Sequence, residues 1–176
     1  NYSVVEREPI KVNFLGAQLT TAPPPSSGGT TIATILNIIS EFDFIQMDVS
    51  TRTHLVVESM RRAYRDRAFF LGDPDFVDVP IKKLTSKEHA SILAQSIDMN
   101  AATPIHEDDQ LDKKYAWNEG SHTTHFSILD KEGNRAAVTQ TINTWFGSGY
   151  MLPSSGLILN NEMDDFSAKP FAPNRY

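Results

Sequence analysis

The chain is predicted to be α+β, with helices in its first hundred residues and antiparallel strands after Thr124. Three observations carry this. Apolar residues recur at helical spacing over residues 53–71 and again after Thr30, as an amphipathic helix requires. Beyond Thr124 the period changes to two: Phe126 and Ile128 alternate toward a turn at residues 130–134, and residues 136–142 return. Between the two regimes, residues 100–121 are polar and acidic with little periodicity, which reads as a flexible connector.

Taken in order, residues 10–14 (Ile-Lys-Val-Asn-Phe) alternate and continue to Leu19, predicting one or two short strands. Residues 22–29 (Ala-Pro-Pro-Pro-Ser-Ser-Gly-Gly) are expected to be irregular, because three prolines lack amide donors and two glycines break regular elements. A helix is expected from Thr30 or Thr31, with Ile32, Ile35, Leu36, Ile38 and Ile39 as its apolar face. The glycines before it either seat an anion on free backbone amides or simply cap a buried helix; the second is the commoner use. The helix at 53–71 sets Leu55, Val56, Met60, Ala63 and Tyr64 on one side. Arg61, Arg62, Arg65, Asp66 and Arg67 lie mostly on the other, which reads as a solvated face or ion pairs rather than a substrate anchor. Asp73 and Asp75 sit in the Pro-containing turn that follows, where capping explains them better than a cation does. A further helix is expected over 86–98, capped by Ser86 or Thr85 with Glu88 in its first turn. After the hairpin around 130–134, residues 157–159 (Leu-Ile-Leu) predict a third short strand.

Composition narrows the chemistry. The chain has 176 residues, 40% of them hydrophobic, with 22 acidic against 16 basic side chains and a formal net charge of -6. There is no basic stripe for nucleic acid or an anionic membrane. Without a cysteine, neither thiol catalysis nor a thiolate metal site can be built. No run of about 18 apolar residues occurs.

The residues that point to chemistry are Gly120-Ser-His-Thr123-Thr124-His-Phe-Ser127. A threonine hydroxyl is a poor nucleophile until the chain is cut just before it, when the freed α-amine of the same residue can accept its proton. Such an amine, with a pKa of about 7.7–8.0, is a base suited to neutral pH. From the residues alone, a hydroxyl pair in a β-strand is much the commoner explanation of so short a pattern. His122 and His125 lie three apart with no third ligand at metal spacing, so surface or hydrogen-bonding roles suit them better. No phosphate loop or dinucleotide fingerprint is present, and no metal or other cofactor is expected.

From Thr123 the chain reads TTHFS, then NTWFGSG, then NNEMDDFSAKP, and this series resembles the start of the small subunit of γ-glutamyltranspeptidases, N-terminal-nucleophile (Ntn) hydrolases. Upstream, APPPSSGGTTIATILNII and YRDRAFFLGDPDFVDVP resemble the end of that family's large subunit. The resemblance implies a segment of the Ntn-hydrolase αββα sandwich, in which residues 1–99 end the large subunit, 100–122 form a flexible linker before the processing site, and 123–176 begin the small subunit. It implies an internal piece of a longer precursor, placed in the periplasm, outside the cell or on its surface.

The same resemblance supplies roles. The bond between His122 and Thr123 is the processing site, Thr123 the nucleophile, and Thr141 the partner hydroxyl that orients it. Asn143, Glu162 and Asp165 match positions that hold the α-carboxylate and α-amino groups of a γ-glutamyl donor such as glutathione. An amino acid, a peptide or water is the acceptor. The family varies between Gln and Glu at the position of Glu162. The family's large-subunit arginine anchor, its later paired serines and its oxyanion glycines have no counterpart among these residues. The segment alone is therefore expected to stay uncut and inactive, with the rest of the parent enzyme as its partner and exposed apolar faces that favour association of copies. Acylases, enzymes acting on poly-γ-glutamate and a non-catalytic structural segment are the alternatives.

Overall fold

The computed structural model describes residues 3–104, 123–167 and 172–174. The chain divides into two units, residues 1–110 with 169–175, and residues 111–168 with 176.

In the first unit, β1 (Ile10–Phe14) and β2 (Ala17–Thr21) form an antiparallel hairpin pairing Ile10 with Thr21 and Phe14 with Ala17. Its two-residue turn, Leu15-Gly16, has positive φ at both positions, the geometry that matches strand twist. Alternation buries Ile10 and Val12 against α1 (Ser27–Ile39). This helix begins at Ser27, earlier than the expected Thr30, so the two glycines lie in its first turn. The reason is close approach: a Cβ on Gly29 would lie 2.0 Å from the Ala22 carbonyl oxygen. The buried face also differs from the expected stripe, because Ile32 is exposed while Thr30, Thr34 and Asn37 are buried. Thr34 and Asn37 are tolerated there because they bond to backbone, Thr34 Oγ1 donating to Leu84 O at 3.0 Å and Asn37 Nδ2 to Thr85 O at 2.9 Å, whereas Thr30 Oγ1 is buried with no hydrogen-bond partner among the described residues.

The long helix α2 (Val49–Phe70) starts four residues before the expected 53, because Asp48 caps it by accepting from the amides of Ser50 and Thr51. A short helix α3 (Ile81–Leu84), with no periodic signal of its own, precedes α4 (Lys87–Gln95), whose cap is Ser86 accepting from His89 N. Ile38 of α1 packs against Ala90 and Ala94 of α4, flanked by Phe42, Leu93 and Ile97. His89 Nε2 meets Asp66 Oδ2 at 2.6 Å, tying α4 to α2.

The arginine-rich face of α2 is only partly solvated. Arg62 is buried with Glu58, their charges 2.6 Å apart. Met60 and Tyr64, expected on the apolar side, are exposed instead. Arg62 also donates to Ser96 Oγ at 2.7 Å and to Ser96 O at 2.6 Å, while Glu58 accepts from Thr103 N at 3.1 Å and from the Thr103 hydroxyl. Burial pushes the Glu58 carboxyl up, but the hydrogen bonds from Thr103 and Arg62 outweigh it and hold the pKa at about 2, from an ordinary 4.5. The head of the expected connector is thus tied down as far as Thr103; residues 105–122 lie outside the described residues.

In the second unit, β3 (Thr124–Leu129) and β4 (Arg135–Gln140) pair antiparallel, with Thr124 opposite Gln140 and Leu129 opposite Arg135. Their turn is held by Asp130, whose carboxylate accepts from both the backbone and side-chain nitrogens of Asn134 at 2.8 and 2.7 Å, while Gly133 takes φ +87°. The expected third strand at 157–159 is reduced to a single bridge between Met151 and Ile158. Backbone hydrogen bonds flank that bridge, Leu152 N donating to Leu157 O at 2.8 Å and Leu159 N to Tyr150 O at 3.0 Å. Among the described residues, no helix is long and apolar enough to cross a membrane.

Candidate functional site

Thr123 stands immediately before β3, exposed. Continuing the β3–β4 register by one residue sets it opposite Thr141, on the face that also carries His125 and Thr139. Alternation produces that polar face: His125 Nδ1 lies 2.7 Å from Thr139 Oγ1, and His125 Nε2 3.3 Å from Ser127 Oγ. His125 is therefore a hydrogen-bonding strand residue. His122, and with it the expected processing bond, lies outside the described residues.

Past β4 the chain turns sharply. Thr141 Oγ1 accepts from Asn143 N at 2.9 Å, which leaves the hydroxyl proton of Thr141 to be directed elsewhere. Asn143 takes φ +74°, a conformation L residues rarely adopt and asparagine tolerates best. Its side-chain amide donates to Asn161 O and to Asp165 Oδ1, both at 3.2 Å. Three of the residues singled out from sequence, Asn143, Asp165 and Thr141, are thus linked through Asn143. Glu162 opens the 3-10 turn Glu162–Asp165, and its backbone N donates to Asn160 Oδ1 at 3.0 Å. Its Oε1 is buried with no hydrogen-bond partner among the described residues. A buried carboxylate oxygen without a donor is costly unless something else supplies one.

Two residues that the sequence reading passed over also belong here. Asn161 Oδ1 accepts from Thr144 N at 3.2 Å and lies 3.1 Å from Thr144 Oγ1, while its Nδ2 donates to Asp164 Oδ2 at 2.7 Å. The only sequence signal was an Asn-Asn pair before an acidic run, which suggests a turn rather than a bracket. Gly147 lets the two arms meet: with φ +50°, a Cβ there would stand 2.2 Å from Leu159 O.

A profile of the family described as Gamma-glutamyltranspeptidase matches residues 1–176, the whole chain. The chain belongs to the γ-glutamyltranspeptidase family. Among curated relatives, it is 47% identical over 177 residues to "Glutathione hydrolase proenzyme" of Escherichia coli (strain K12), an overlap of 99% of this chain and 30% of that protein. It is 34% identical to "Acylase ACY 1 proenzyme" of Pseudomonas sp. (strain SE83), over 97% of this chain and 30% of the relative. The chain thus spans about a third of the length of these relatives. Among solved structures, γ-glutamyltranspeptidase of Helicobacter pylori matches with a TM-score of 0.54 at 35% identity, over 65% of this chain and 33% of that one. The cephalosporin acylase of Bacillus halodurans matches with a TM-score of 0.74 over 96% of this chain and 29% of that one; at 24% identity the likeness concerns the fold alone. The fold is that of the Ntn-hydrolase-type members of this family, as the sequence resemblance implied.

Proposed function

We propose that this chain is the stretch of a γ-glutamyl hydrolase or transferase precursor that contains its processing junction and half of its donor site, with residues 1–99 ending one mature subunit and 123–176 beginning the other. The observation that carries it is the contact of the Asn143 side-chain amide with the Asp165 carboxylate at 3.2 Å, on the 3-10 turn that Glu162 opens and in which Glu162 Oε1 is buried with no hydrogen-bond partner among the described residues. Such a set suits an amino-acid head group: carboxylates take the ammonium and an amide donates to the carboxylate.

In this reading, Thr123 Oγ attacks the His122 carbonyl carbon, the acyl group shifts from nitrogen to oxygen, and water hydrolyses the ester. That frees the Thr123 α-amine. In the mature enzyme Oγ attacks the γ-amide carbon of a donor such as glutathione, the α-amine takes the hydroxyl proton and passes it to the leaving amine. The γ-glutamyl ester is then released by water or by the amine of an amino acid or peptide. Thr141, opposite Thr123 in the extended register, orients the nucleophile. The extracytoplasmic placement implied by the family goes with this proposal.

A second reading, an acylase, draws on the ACY 1 relative. The two carboxylates at the head-group position favour an α-amino donor over a glutaryl one, which has no ammonium to place there.

The test is processing. A full-length precursor carrying this segment is expected to split into two pieces, the smaller beginning at Thr123 by N-terminal sequencing, and then to release p-nitroaniline from γ-glutamyl p-nitroanilide. Thr123→Ala is expected to leave the precursor intact. Cleavage elsewhere, or cleavage that persists in Thr123→Ala, would overturn the assignment of the nucleophile.

A further inference from the structure

We propose that Asn161 is a positioning residue that brackets the two arms of the donor site and so sets the preference for a donor bearing an α-amine; this rests on the reading of Asn143, Glu162 and Asp165 given above. Three of its polar groups reach across to the other arm and the fourth holds its own 3-10 turn. Its backbone N donates to Ile142 O at 3.4 Å and its backbone O accepts from Asn143 Nδ2 at 3.2 Å. Its side-chain oxygen accepts from Thr144 N at 3.2 Å, and its side-chain nitrogen donates to Asp164 Oδ2 at 2.7 Å.

The residues gripped on one arm, 142 to 144, are those on either side of Asn143, whose φ of +74° is intrinsically unfavourable. A residue in that region persists only where its surroundings over-determine it, and Asn161 supplies contacts before, at and after it. On the other arm, Asp164 directly precedes Asp165 in the 3-10 turn. Fixing Asp164 fixes the direction in which the turn presents Asp165, whose Oδ1 Asn143 also contacts. The task needs an acceptor at one end of a short side chain and a donor at the other. Asparagine has both; aspartate lacks the donor and would face Asp164 with like charge.

The experiment uses the processed full-length enzyme and two donors that differ only in the amine, γ-glutamyl and glutaryl p-nitroanilide. In Asn161→Ala and Asn161→Asp, the kcat/KM ratio in favour of the γ-glutamyl donor is expected to fall about ten-fold, as the loss of the hydrogen bond to the Asp164 carboxylate would give. The fall should lie in the γ-glutamyl KM, with kcat/KM for the glutaryl donor nearly unchanged. An unchanged ratio, whether both donors suffer equally or neither does, would overturn the proposal, since a merely structural residue affects both alike. Asn161→Asp keeps the side-chain shape, so the test survives if the alanine variant fails to fold. Wild-type enzyme with no preference for the amine-bearing donor would overturn the donor-site reading, and the role of Asn161 with it, before any substitution is made.

Discussion

Glu58→Gln removes one charge from a pair sealed away from water. The Glu58 and Arg62 side chains are 2% and 9% exposed. Glutamine preserves the length of the chain but leaves the Arg62 guanidinium buried without a counter-charge, and it presents an amide where Thr103 and Arg62 now donate to a carboxylate. Two routes give the size of the loss. Removing one partner of a buried ion pair costs about 3–5 kcal/mol. Independently, at about 1.4 kcal/mol per pH unit, the drop of the Glu58 pKa from 4.5 to about 2 corresponds to about 3 kcal/mol favouring the folded state. The folded pKa is depressed, so this contribution is complete above about pH 4.5 and is lost as pH falls from there toward 2. Urea unfolding of the chain, followed by far-UV circular dichroism, is expected to show Glu58→Gln about 3 kcal/mol less stable at pH 7, with the gap to wild type narrowing in acid. A loss under about 1 kcal/mol at pH 7, or a gap that does not narrow, would refute the reasoning. The double substitution Glu58→Met with Arg62→Met should recover only part of the loss, because an apolar pair carries no desolvation penalty but leaves the Thr103 and Ser96 groups without the partners they now have.

Gly147→Ala is expected to raise the donor KM of the processed enzyme by pushing apart the arms that carry Asn143 and Asp165, since the new Cβ would meet Leu159 O at 2.2 Å. Gly149→Ala is its control: φ is similarly positive at +70°, but the added Cβ meets nothing within 4 Å, so it should affect the donor KM much less. Asp48→Ala should lower thermal stability at neutral pH by uncapping α2, whereas Asp48→Asn, which keeps the acceptor, should largely retain it. The Asp48 carboxyl is held below its ordinary 3.8 by hydrogen bonds from Thr51, so the stability it contributes is present above that value and is lost as pH falls; differential scanning calorimetry across pH 2–7 reads the effect.

Local rules made much of the fold legible. Alternation and turn chemistry sufficed for the hairpin after Thr124, alternation for the strands of the first hairpin though not for its Leu15-Gly16 turn, 3.6-residue periodicity for the first two main helices, and capping for the third. Boundaries shifted where contacts from distant residues or a side-chain cap decided them, as at Gly29, whose missing side chain admits the Ala22 carbonyl, and at Asp48. The arginine run on α2 shows the limit most clearly. Spacing distinguishes one helix face from another but carries no information about Ser96 and Thr103, which make a buried site for Arg62 possible.

The sequence by itself determined the family, because its motifs occur in order along the whole chain, and through that resemblance it supplied Thr123 as the proposed nucleophile. It also contained the residues of the candidate donor site, as separate positions 18 to 22 apart. Only the tertiary structure decided that Asn143 reaches Asp165, that one oxygen of Glu162 has no partner among the described residues, and that Asn161 bonds across to residues 142–144. The physical reason is that hydrogen-bond direction and desolvation depend on where chain segments meet in space, and a glycine such as Gly147, which permits that meeting, has no side chain by which to announce it.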